Sequence, residues 1–397
     1  MNGRASHKQI FIGAVAFIAV ATAIGLVLLW PGSEPEFSLG VGPVGDTQSG
    51  EIQAVTSQEC PPPRKGTCID ADVEITSGPQ SGEVVPIQVS SGGPTATYDP
   101  GDKVRVAKID YAPIGNELST APVEPVYSLI DFERRAPMLW LALAFGFLVI
   151  VFGRLRGALS LVGLAASLAV VLLFIVPAIL DEKPPLAVAL VGSMAVMLIT
   201  IALAHGLGPK SLAAILGTAF SLLLVGILAV VFTELTNLTG LSSEQATALA
   251  LNGSEISLSG LLIAGMVIGA LGVLDDVTIS QASTVLALRS ANPTQKFGAL
   301  YRRAIDVGRD HVSATVNTLV LAYVGSSLPV LLIFGSGQLG IIDAVNLEII
   351  AKEIVATLVG SIGLIAAVPI TTALAALMAE TLSDEELHAA AEGGHHH

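Results

Sequence analysis

Beyond residue 136 the chain is a series of long apolar runs, separated by short charged or Gly/Pro-rich breaks. Runs at 137–152, 157–180, 186–204, 211–232, 260–289, 312–334 and 349–378 each read as a bilayer-crossing helix. Another such run, Ile10–Trp30, follows Arg4 and Lys8. Its 21 residues are long for a signal-peptide core, so it reads as a retained anchor. Basic residues mark alternate breaks: Arg154 and Arg156, then Lys210, then Lys296, Arg302, Arg303 and Arg309. By the positive-inside rule those breaks are cytoplasmic. About eight crossings then leave both termini cytoplasmic.

Between the anchor and the other runs the pattern changes to period two. Segments 69–76, 83–89, 103–111 and 125–132 alternate apolar with polar residues and are divided by turn signals such as 98–102. Val104, Val106 and Ile109 oppose Lys103, Arg105 and Lys108, with an offset near Ala107. Residues 32–68 are too polar and Gly/Pro-rich to read as a strand. The expected fold is an all-α polytopic membrane bundle of about eight transmembrane helices with an inserted small extracytoplasmic β-barrel-like domain. Its parts are an anchor at 1–30, the β-domain of about five strands at 31–135, a seven-span domain at 136–380 and a cytoplasmic tail at 381–397. The terminal Gly-Gly-His-His-His reads as an expression-tag remnant and is set aside.

Composition sharpens this picture. Hydrophobic residues make up 52% of the 397, charged ones only 13%, and mean hydropathy is +0.73, too apolar for a soluble protein. A net charge of −14 excludes nucleic acid as a partner. Sixteen acidic against seven basic side chains lie between Pro31 and Arg135, so the β-domain carries much of the excess. Cys60 and Cys68 fall in the same segment without further metal ligands nearby, which favours a local disulfide in an oxidising compartment.

Candidate chemistry centres on Gly260–Arg289, a 30-residue stretch in which Asp275 and Asp276 are the charged residues before Arg289. Gly265, Gly269, Gly272, Asp276, Ser280 and Ser283 recur at helical steps, a stripe of small residues that lets another helix come close. A charged carboxylate at mid-membrane costs several kcal/mol unless paired, hydrated or protonated. The neutral acid becomes competitive there, and the charge becomes switchable. The competing reading ends the helix near Ile279, with the pair at the cytoplasmic interface. On the next span, Asp306, Asp310, Ser313 and Asn317 share one face, and the first two fit ion pairs with Arg302, Arg303 and Arg309. Asn317 and Thr318 read equally as path-lining groups or as helix-packing hydrogen bonds. The last span opens with Glu348 and Lys352, a favourable i,i+4 pair, followed by Glu353. Gly360, Gly363 and Pro369 suggest close packing there. His205 reads as a loop residue. No nucleophile–base pair, phosphate-cradling loop or metal-ligand cluster appears, so an enzyme is not expected and no cofactor is implied.

The segments GALGVLDDVTISQAS (269–283), VGRDHVSATVNTLVLAYVGSSLP (307–329), NLEIIAKEI (346–354) and GSIGLIAAVPIT (360–371), with the order of anchor, β-domain and seven spans, resemble the YibE/F-like membrane protein family. The resemblance covers nearly all of 70–380. It implies an aspartate at Asp276 and leaves Asp275 less constrained. A looser similarity joins the Asp-bearing span, its basic linker and the following span to resistance-nodulation-division (RND) permeases and SecD/SecF proteins. In those, acidic residues of this helix carry protons. That similarity implies Asp275 and Asp276 as a relay pair.

The expected function is a bacterial inner-membrane transporter or envelope-export factor driven by the proton motive force. Asp276, Asp275, Ser280, Gln281, Asn317 and Thr318 form the candidate proton relay or transport path. Expected partners are the lipid bilayer, a small-molecule, lipid or ion substrate, and an envelope protein or a second copy. Alternatives are a non-transporting scaffold that presents the acidic β-domain to envelope machinery, and a divalent-cation carrier. Paired carboxylates suit a hard cation, but neighbours on a helix point about 100° apart.

Overall fold

The computed structural model describes residues 2–32, 44–59, 67–90, 97–109, 126–251, 256–335, 340–383 and 386–387. They form two compact units, a helical one and a sheet, with the boundary between Leu148 and Val149. The expected disulfide lies partly outside the described residues, because it needs Cys60; Cys68 is buried at the start of its strand.

The sheet has five antiparallel strands: β1 (Val44–Glu59), β2 (Thr67–Ile75), β3 (Val84–Ser90), β4 (Lys103–Ile109) and β5 (Val126–Phe132). Their order is β3-β2-β1-β4-β5. The sheet curls until its edge strands β3 and β5 approach each other, without pairing between them among the described residues. Ile52, Val73, Ile75, Val85, Ile87, Val104 and Val106 form its core. Four strands match the alternation in the sequence. The fifth, β1, corrects the reading of 32–68 as unfit for a strand. It is the central strand and pairs with both β2 and β4. Two irregularities, between Val44 and Thr47 and between Ile52 and Ala54, break its period-two pattern and hide it from alternation. The offset near Ala107 has the same origin: a register shift at Arg105/Val106 leaves Val106 and Ala107 both buried.

The helical unit is organised around three long helices, α5 (Pro209–Leu235), α7 (Leu258–Ala291) and α11 (Glu348–Thr381). Small residues set their approach. A Cβ on Gly217 would strike the Thr371 side chain and lie 3.3 Å from its Cα, and one on Gly363 would strike Val225. Around this core, α4 (Pro185–His205) packs on α7 and α5, and α8 (Phe297–Ser326) packs on α11 and α7. The anchor helix α1 (Asn2–Leu28) lies against α4. Lys8 Nζ donates to Glu386 Oε1 at 2.6 Å, so the two ends of the unit meet at one face. That contact, with the Ser383 N–H, holds the Glu386 carboxyl below the usual carboxylate range.

Among the described residues, six helices are long and apolar enough to cross a membrane, or seven if α8 and the short α9 (Leu328–Gly335), bent by 64°, form one broken span. The expected eight require a division of Arg135–Leu180. Within it α2 (Arg135–Val170) contains Arg154 at φ 50, ψ −132, outside the helical region. A Cβ on Gly157 would meet the Val149 carbonyl. Residues eight apart in a straight helix are separated by ~12 Å, so the chain folds back at Arg154. Past α2, a π-helical turn, Val171–Ile175, leads into α3 (Val176–Leu180). Pro177 has no N–H to offer Leu173, and the backbone widens in the turn just before it. The short helices α6 (Glu244–Leu251) and α10 (Ile341–Asn346) complete the unit. At the start of α11, Glu348 does not pair with Lys352. Its carboxylate accepts from Thr239 Oγ1 (2.8 Å) and the Gly240 N–H (2.7 Å), while Lys352 lies 3.9 Å from Glu353.

Candidate functional site

Ser257 Oγ accepts from the Gly260 N–H (3.1 Å) and caps α7, which then runs unbroken to Ala291. Asp275 and Asp276 are therefore in the middle of a helix, about 25 Å from either end. The helix does not stop near Ile279.

Asp275 is largely buried. Its Oδ2 lies 3.1 Å from Thr200 Oγ1 on α4. Its Oδ1 is buried with no hydrogen-bond partner among the described residues. Asp275 belongs to the lining of a cavity of about 410 Å³ between α2, the π-helical turn, α4 and α7. Ser193 Oγ in the same wall is also buried and unpartnered. Thr200 has one hydroxyl hydrogen and three acceptors in reach: Asp275, the Val196 carbonyl (2.9 Å) and the Met197 carbonyl (3.1 Å). It can donate to only one at a time, so its bond to Asp275 can be made or released without moving a helix.

Asp276, one residue on, is exposed and points into the same cavity and into an adjoining chamber of about 780 Å³. Ser160, Ala204, His205 and Ile279 also line both spaces, which therefore lie side by side. Among the described residues neither carboxylate has an ion-pair partner.

The other candidates divide. Ser280 lines the chamber beside Asp276. Gln281 is a packing residue: its Nε2 donates to the Ala304 carbonyl (2.9 Å) and to Thr372 Oγ1 (2.7 Å), joining α7, α8 and α11. Gln281→Leu should therefore lower the melting temperature in detergent, by about 0.5–2 kcal/mol of stability. A path role would instead change transport with the melting curve unmoved. Asn317 and Thr318 are on the exposed face of α8 and line neither cavity. Asp306 pairs with Arg309 at 3.2 Å on the surface, as its spacing suggests. The small-residue stripe is open at two of its three glycines. A Cβ on Gly265 or Gly272 would meet nothing within 4 Å, and one on Gly269 would come 3.5 Å from Tyr323 Oη of α8, so the stripe is a groove touched by one side chain rather than a close packing seam.

Sequence reasoning missed the far wall. Ser160 and Ser167 on α2, and Ser193 and Thr200 on α4, are each seven residues apart and line the Asp275 cavity. Paired hydroxyls two turns apart in otherwise aliphatic spans were the available signal.

The comparisons with known proteins bear on the same region. A family model described as YibE/F-like protein matches residues 141–381. The chain belongs to the YibE/F-like family. No curated protein and no solved structure matches it. The YibE/F-like region contains α7, α4 and both cavities and leaves out the sheet. The looser likeness to RND permeases and SecD/SecF proteins has no counterpart in these matches.

Proposed function

We propose that this YibE/F-like protein is a bacterial inner-membrane transporter or envelope-export factor driven by the proton motive force, in which Asp275 takes up and releases the proton. The observation that carries this reading is Asp275 Oδ1, a buried carboxylate oxygen without a partner among the described residues, on a side chain that lines a largely aliphatic cavity together with Ser160, Ser167, Ser193 and Thr200. Ionised, Asp275 takes the Thr200 hydroxyl hydrogen. Protonated, it releases that hydrogen to the Val196 or Met197 carbonyl. Asp276 connects it to the chamber, where water and protons enter. This assigns the switching role to the buried carboxylate and the access role to Asp276, the reverse of the emphasis that the family resemblance gives.

In this proposal the face joined by Lys8 and Glu386 is cytoplasmic, Arg135–Leu180 crosses twice at Arg154, and the sheet is outside the cell membrane with a Cys60–Cys68 disulfide. The reading rests on positive-inside placement and on the break at Arg154. The test is proton movement into liposomes under an imposed gradient, followed with a trapped pH dye. The parent protein should exceed empty vesicles, and Asp275→Asn should match them. Equal rates in parent and Asp275→Asn would remove the mechanism.

A further inference from the structure

The chamber beside Asp276 is larger than a proton path needs. A water file is a few Å wide, whereas about 780 Å³ lies within the ~300–1,000 Å³ range of organic-ligand sites. Its lining is also unlike the Asp275 cavity. Arg156 from α2, His205 from the end of α4 and Lys210 from the first turn of α5 all converge on it. Hydroxyls of Ser280 and Ser283 face them from α7. Asp276 is the one carboxylate on that lining among the described residues. The lining also has an apolar part: Val149 and Phe152 of α2 belong to it, and Phe152 is 96% exposed.

We propose that this chamber is a binding site for a phosphate-bearing anion, held by Arg156, Lys210 and His205, with the serine hydroxyls of α7 as further donors. Arg and Lys side chains supply charge-assisted hydrogen bonds to phosphate oxygens, Arg in a two-pronged fork. Lys210 lies in the first turn of α5, where the helix end adds a partial positive charge. An exposed aromatic side chain in the lining suits a phosphate on an amphiphile as well as a free one, so two sources share this chemistry: a phospholipid headgroup and a small phosphate ester from solution. The inference rests on the lining of the chamber and is independent of whether protons move through Asp275.

The full chain, purified in detergent, is titrated with phosphatidylglycerol, with phosphatidylcholine and with inorganic phosphate, and binding is read by native mass spectrometry and calorimetry. Arg156→Gln/Lys210→Gln should weaken binding of phosphatidylglycerol, or of phosphate, by about tenfold per charge removed. Lys296→Gln/Arg302→Gln, on exposed basic positions, should not. Saturable binding of phosphatidylglycerol alone identifies a lipid site, and binding of inorganic phosphate, or its competition with the lipid, identifies a soluble anion. Ser283→Phe, which fills the chamber without altering charge, should reproduce the loss if the Arg156/Lys210 protein fails to fold. The proposal is overturned if none of the probes binds above phosphatidylcholine. It is also overturned if binding survives both chamber variants, or falls equally in Lys296→Gln/Arg302→Gln. Asp275→Asn should leave this binding intact, so failure here and failure of the proton mechanism are separate results.

Discussion

Asp275→Asn is expected to melt at or above the parent temperature while proton movement falls to background. Both halves follow from one atom. Asp275 Oδ1 is buried without a partner among the described residues, which costs stability. An amide of the same shape removes the charge and keeps a carbonyl oxygen to accept from the Thr200 hydroxyl. The gain should be about 1–3 kcal/mol, the usual scale for an uncompensated buried polar group. A site that loses stability to keep a switchable charge should show this opposition between stability and activity. Asp276→Asn should leave the melting temperature unchanged, because that side chain is exposed. The measurement is a thermal-shift series in detergent beside the liposome assay. A clear drop in melting temperature for Asp275→Asn would point to a structural carboxylate and to the scaffold alternative.

The second large effect is expected at Gly217. Replacement by Leu should destabilise the helical unit by several kcal/mol or abolish its assembly. A Cβ alone would strike the Thr371 side chain and lie 3.3 Å from its Cα, so relief requires α5 and α11 to separate. These helices, with α7, hold the buried core of the unit. Gly265→Ala is the matched control. With nothing within 4 Å of the added methyl, it should be neutral or raise stability by about 0.5–1 kcal/mol through helix propensity. Circular dichroism melting and size-exclusion profiles of the two variants decide the point. Equal behaviour would mean that the close approach at Gly217 does not govern assembly.

The contrast between these glycines shows what the sequence could and could not convey. Helical spacing correctly put Gly265, Gly269, Gly272 and Asp276 on one side of α7. It could not say whether that side met a helix or a void, because small residues serve both. Only the neighbours decide, and they are on α8 beside Gly269 and on α2 and α4 across the cavity from Gly272 and Asp276, distant in sequence. Gln281 was ambiguous for the same reason. A glutamine two turns from an aspartate suits a water path or a helix clamp, and Ala304 and Thr372 settle it. The apolar spans were legible because lipid imposes a simple composition. Strand β1 was not, because its irregular register breaks the alternation on which strand reading depends.

The cross-links of the core have a mechanical corollary. Thr218 and Thr278 share a 2.6 Å hydroxyl contact, Gln281 ties α7 to α11, and Glu348 ties the head of α11 to the turn after α5. The wall that bears the aspartates is thus a fixed frame. The opposite wall, α2, makes no extensive packing with any other described element. A door needs one side clamped and one side free. Any swing that widens or shuts the space before Asp275 therefore belongs to α2, hung between the fold at Arg154 and the π-helical turn.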